Sequence, residues 1–182
     1  MTNKIRQMEK EEGSIIVIFA FVLFVLIFFV GIAMDFGMMY MKKSDMDNLC
    51  SMARAECFTY REQIQYCENP GEVTYEVLKK LFAQNGFTGD FEMYFKEDYD
   101  PDTWKTSNSR SYKVRVILKD EYQYTFMRLF KQDKATLTAS KDIEETFGDG
   151  SVDVIWHPKN VSYNGLYKQS PHFEKGKIPA GW

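Results

Sequence analysis

The residues whose types suit chemistry are two histidines, three cysteines and one alternating run of aspartates, and their spacing supports little of it. His157 and His172 are the only side chains that ordinarily titrate near neutrality. Both stand in a Pro- and Gly-containing stretch without Cys or carboxylates at metal-ligand spacing, so they read as surface or packing histidines. In KEDYDPDTW, Asp98, Asp100 and Asp102 place oxygens at alternate positions, as a hard cation requires. A calcium loop would continue with Gly at its sixth position and Glu at its twelfth, but Thr103 and Ser109 stand there, so the run reads as a solvated acidic turn. Asp35-Phe36-Gly37 copies three letters of a kinase metal-binding motif without the Gly-rich loop or the catalytic-loop signature. With no Ser/His/Asp or metal constellation, the expectation is a non-enzymatic protein that needs no cofactor.

Cys50, Cys57 and Cys67 are an odd set, so one intramolecular bridge at most can form. Cys50 and Cys57 are seven positions apart on a helical pattern, about 10 Å, which is too far to bridge. Cys67 is left to pair with Cys57 or with Cys50, three reduced buried thiols being the equal alternative.

The elements that would position these residues are set by an uneven spread of apolar residues. No charge stands between Glu12 and Asp35, and the 22 residues from Gly13 to Met34 span roughly 33 Å as a helix, close to the hydrocarbon thickness of a bilayer. From Ile15 to Val30 all but Ala20 are Ile, Val, Leu or Phe. Their insertion is favoured by about 5 to 9 kcal/mol. A run apolar on every face is too large for so small a chain to wrap. It is also longer than a secretory signal and lacks an Ala-x-Ala cut site, so it reads as a retained anchor in membrane lipid. Asp35, placed right at the end of that run, must reach headgroups or a partner. Ala33 and Gly37 form a small-xxx-small pair where another helix could approach. Basic residues balance on the two sides, with Lys4, Arg6 and Lys10 against Lys42, Lys43 and Arg54. The net charge of -3 argues against nucleic acid.

Past the apolar run, Met46, Leu49, Ala53, Cys57, Tyr60 and Ile64 recur at helical spacing, which predicts that one helix continues from Ser14 to about Gln65. Asn69-Pro70-Gly71 is expected to stop it, and Thr74 to cap a shorter helix ending at Asn85. Three alternating runs, at Phe91–Phe95, Tyr112–Leu118 and Ala135–Ala139, predict an antiparallel sheet with one buried face. The expected fold class is α+β, a long helix packed on a small sheet with a second short helix. Its segments are a tail at 1–13, a transmembrane helix at 14–34, an amphipathic continuation at 35–66, an α+β domain at 67–147 and an irregular tail at 148–182. A short strand is expected at Val152–Trp156. Trp156, Tyr163, Tyr167, Phe173 and Trp182 in that tail suit either sheet cover or, in an alternative reading, a signal-anchored binding or sensor module.

The stretch GSIIVIFAFVLFVLIFFVGIAMDFGMMYMKKSDMDNLCSMARAE resembles the N-terminal segment of the TadE and TadG-like proteins, minor pilins or pseudopilins of bacterial tight-adherence (Flp, type IVc) pili. Gly13 matches the leader glycine, Gly31 with Asp35-Phe36-Gly37 the second element, and Met46-Asp47-Asn48 with Ala53 and Ala55 the third. VRVILKDEYQYTFMRLF with ATLTAS is similar, more loosely, to the family's later strands. The resemblance implies a pilin-like fold, an inner-membrane anchor with the short tail inside and the domain outside the cytoplasm, and packing through Gly31, Ala33, Asp35 and Gly37. The partners it implies are other pilins or pseudopilins, pilus platform proteins and a prepilin peptidase cutting between Gly13 and Ser14. Ile18 stands where substrates of that peptidase usually carry Glu.

Overall fold

The computed structural model describes residues 2–98, 110–147, 162–169 and 172–182. Its elements in chain order are α1 (Thr2–Thr59), α2 (Arg61–Gln65), α3 (Pro70–Gln84), β1 (Asp90–Asp98), β2 (Arg110–Gln123), a 3-10 turn (Met127–Phe130), β3 (Lys134–Phe147), β4 (Gly165–Lys168) and β5 (Phe173–Lys175). The fold is α+β: a long apolar N-terminal helix, a second helix and a five-stranded sheet in the order β3-β2-β1-β4-β5. Two compact units form, Met1–Lys42 with Tyr122–Ala135, and Lys43–Glu121 with Thr136–Trp182.

The larger unit is built on the periodicities of the sequence. Met46, Cys50, Ala53 and Cys57 form the buried stripe of α1, and the ion pair Arg54–Glu145 (3.4 Å) ties that stretch to β3. Phe91, Met93 and Phe95 of β1 and Tyr112, Val114, Val116 and Leu118 of β2 point into the same core. The register Met93↔Val116 makes them cross-strand neighbours. Tyr75 of α3 stacks on Phe91 at 5.0 Å, and Phe82 meets the same ring edge-on at 4.9 Å. On the opposite face of the sheet, Arg115 grips Asp142 through two bonds of 2.6 and 2.7 Å, and Lys119 pairs with Glu92 at 2.8 Å. One apolar and one charged face are what an antiparallel sheet with a single buried side requires.

Four expectations fail in instructive ways. α1 ends at Thr59, because Tyr60 leaves helical geometry (φ -95°, ψ 16°) before the short α2 carries Ile64 into the core. Neither Gly nor Pro marks that break; packing sets it. Asn69-Pro70-Gly71 starts a helix instead of stopping one. Pro70 sits in the first turn, where its missing N–H costs nothing, and Asn69 Oδ1 accepts the N–H of Glu72 at 3.1 Å. Thr74 lies inside α3 and donates its hydroxyl to the Pro70 carbonyl at 2.7 Å. The tail supplies β4, which pairs antiparallel with β1 from Glu92↔Lys168 to Phe95↔Gly165, and β5, which pairs with β4. The strand expected at Val152–Trp156 lies outside the described residues.

In the smaller unit the side chains from Ile15 to Val30 are exposed apart from Val25 and Phe28, which are half-buried. Only 6% of the most apolar window is buried, so this is not the wrapped core helix of a compact domain; it is long and apolar enough to cross a membrane.

Candidate functional site

Asp35 ends the apolar run and is only 2% exposed. Its carboxylate can only accept hydrogen bonds, and the connection between β2 and β3 brings it three successive donors. Oδ1 accepts the N–H of Thr125 at 2.9 Å, and Oδ2 accepts those of Phe126 and Met127 at 2.7 and 2.8 Å. Consecutive N–H groups aimed at one anion form a nest, here at the N-terminus of the 3-10 turn. Bonds to an ionised acceptor are stronger than neutral ones, so this carboxylate fixes the loop on the helix.

Neighbouring helix positions complete the seat. Gly31, one turn earlier, is buried under Phe126; a Cβ there would lie 2.5 Å from the ring's Cδ1. One turn later the Tyr124 hydroxyl reaches Met39 Sδ at 3.3 Å. Phe28 packs edge-on to Phe130 at 5.1 Å. Positions 28, 31, 35 and 39 therefore form one stripe that holds residues 124–130, and lack of a side chain at Gly31 lets the loop backbone come within reach of Asp35.

Ala33 and Gly37 belong to a different face. Both are exposed, and a Cβ at Gly37 would meet nothing within 4 Å. The four residues expected to act together in helix packing are thus divided: Gly31 and Asp35 engage this chain's own loop, whereas Ala33 and Gly37 are open. Gly13 and Ser14 lie within α1, and their side chains are outside the described set.

None of the three cysteines is disulfide-bonded, so the Cys57–Cys67 bridge is not formed in this structure. Cys50 and Cys57 are buried on the helix stripe, and Cys67 Sγ donates to the Ile64 carbonyl at 3.2 Å. Burial pushes the Cys50 thiol up to about 11, with Asp47 adding to it. Burial, helped by Glu145 and Glu56, pushes Cys57 up to about 12. Such thiols are poor nucleophiles. His172 packs its ring against Tyr75 at 5.2 Å, with Nε2 4.0 Å from Glu72. His157, Asp100 and Asp102 fall outside the described residues, among which no cluster of three or more His, Cys, Asp or Glu is placed to hold a metal.

The tail aromatics cover the sheet. Tyr163 and Tyr167 are buried; Tyr163 donates its hydroxyl to Glu97 Oε2, and Tyr167 donates to the Tyr163 carbonyl at 2.7 Å. Trp182 lies beside Tyr94 and under the Arg115 guanidinium, 5.3 Å from the ring centre. Trp156 lies outside the described residues. Sequence reasoning singled out Asp35 but not its partners. The signal for them was present in YTFMRLF, a connector between strands far more apolar than a solvated turn should be.

No curated protein and no solved structure matches the chain. A family model, Tad, described as Flp pilus-assembly TadE/G-like, matches residues 13–51. That match contains both Gly31 and Asp35 of the seat and the open pair Ala33 and Gly37. Over residues 13–51, therefore, this chain is similar to the TadE/G-like segment of the Tad pilus-assembly family.

Proposed function

We propose that the protein is a non-enzymatic, membrane-anchored minor pilin or pseudopilin, or an assembly factor, of a Tad (Flp, type IVc) pilus. In this reading residues 14–34 cross the inner membrane once, the domain lies outside the cytoplasm, and the helix works by packing against other pilins. The observation that carries it is the contrast along α1. From Met46 onward one helical face is buried under the sheet, whereas among the described residues the family-matched apolar run and the Ala33/Gly37 face are largely exposed. A helix apolar on all sides is content in lipid and equally content against other such helices, so moving between bilayer and filament costs little hydrophobic energy. The small pair lets a second backbone approach closely. The burial of Tyr163 and Tyr167 takes two of the five tail aromatics away from a ligand, which favours the pilus reading over a receptor that binds through its tail.

Gly37→Leu in the full chain tests the reading. Because a Cβ at Gly37 meets nothing within 4 Å among the described residues, the domain should fold and reach the membrane unchanged while surface pili are lost. Normal piliation with Gly37→Leu would remove this face from assembly. Normal piliation in a strain lacking the protein altogether would overturn the pilus role itself.

A further inference from the structure

The loop held by Asp35 has a composition that water does not explain. Leu129 is 73% exposed and Phe130 53%, beside Phe126 and Met127 in the same five residues. They sit against the apolar run itself: Phe126 covers Gly31 and Phe130 meets Phe28. Phe28 lies seven residues before Asp35, about 10 Å along the helix axis into that run. Whatever surrounds the helix at that level also surrounds Leu129 and Phe130.

The backbone of the loop is prepared for such surroundings. Hydrocarbon offers no partner to an N–H, so non-helical chain can enter it only if its polar groups are satisfied internally. Here Asp35 takes the donors of Thr125, Phe126 and Met127. Tyr124 N–H bonds the Asp133 carbonyl at 3.0 Å, Leu129 N–H the Phe126 carbonyl at 3.1 Å, Lys131 N–H the Arg128 carbonyl at 3.0 Å and Gln132 N–H the Met127 carbonyl at 3.3 Å. Arg128, inside the tip and bonded through Nη2 to Gln123 Oε1 at 3.1 Å, and Lys131, just after it, have long stems that can lie along apolar surface while their charges stay at the level of phosphate headgroups. An open apolar groove lined by Leu23, Ile27, Val30 and Phe126 runs along the same side of the helix and suits an acyl chain.

We infer that residues 126–130 are a second membrane-inserted element, a hairpin tip that enters the leaflet beside the helix and has phospholipid as its partner. This rests on the reading of residues 14–34 as a membrane span. Lipid, as opposed to another protein, is favoured because the tip is continuous with the helix surface facing the bilayer and combines exposed apolar side chains with one cation within it, Arg128, and one beside it, Lys131.

The test places the photoreactive residue p-benzoylphenylalanine at Leu129, Phe24 or Glu76 of the full chain. Each variant is reconstituted in phosphatidylethanolamine/phosphatidylglycerol vesicles, and phospholipid adducts are read by mass. Leu129 and Phe24 should both give adducts and Glu76 none; Phe130 serves as a second loop position should the Leu129 variant misfold. Adducts at Phe24 with none at either loop position overturn this inference and leave the span standing. Adducts at none of the positions overturn the span and the loop together. A crosslink from the loop to a second protein chain in place of lipid overturns lipid as the partner.

Discussion

Asp35 offers two oxygens and no proton, and it meets three N–H groups that no other part of the loop satisfies. Its replacement should therefore be graded by acceptor count. Asn keeps one carbonyl oxygen and Ala keeps none, so amide exchange at Thr125, Phe126 and Met127 should quicken in the order Asp35, Asp35→Asn, Asp35→Ala, with the sheet amides of β1 unchanged. Equal exchange in all three proteins would deny the carboxylate its holding role. The cysteines permit a second prediction. In the folded chain Cys50 and Cys57 are held up to about 11 and about 12 by burial, whereas an unfolded thiol titrates near about 8.5. The folded state keeps its thiol protons longer, so this contribution to stability is intact below about pH 8.5 and is lost as pH rises toward 11 and 12. The denaturation midpoint should fall with pH over that window, and a thiol-alkylating reagent at pH 8 should modify half-buried Cys67 first. Rapid labelling of Cys57 in the folded protein would contradict the burial.

At the scale of elements, the tail carries more than its sequence suggests. Gly165–Lys168 and Phe173–Lys175 are too short and too irregular in pattern to read as strands. They form because β1 would otherwise be left with an unpaired edge, and β4 fills it. Tyr163, Leu166 and Tyr167 enter the core with them. At about 1.5 to 3 kcal/mol for each buried side chain, the three contribute roughly 5 to 9 kcal/mol, comparable with the whole stability of a small domain. A chain ending at residue 161 should accordingly lose its cooperative thermal transition and aggregate through the bared edge. A truncated protein that melts like the full chain would return the tail to the status of an appendage. The start of α3 shows the converse: Asn69-Pro70-Gly71 has the residues of a stop and of a start alike, and only a partner in space chooses. Gly71 lies against the Tyr167 ring, an approach that a side chain at 71 would block.

For the whole molecule, the order of apolar residues along the chain was enough to decide a great deal. An uncharged run of bilayer length, a helical stripe from Met46 to Ile64 and alternating runs around Phe91, Tyr112 and Leu137 state their own secondary structure and their own buried face, because amphipathic periodicity is a local property. The α+β class and the family-matched segment were legible for that reason, as was the oddness of a carboxylate at position 35. What receives that carboxylate was not legible. Its donors lie some 90 residues further on and are backbone groups, which no side-chain pattern reports. Tertiary structure alone decided that Gly31 faces Phe126 while Gly37 is exposed, that α1 yields at Tyr60, and that the free edge of β1 recruits the tail. Each of these is a requirement imposed by a partner distant in sequence, an unpaired N–H, a ring needing room or an open strand edge, and such requirements exist only once the chain has folded.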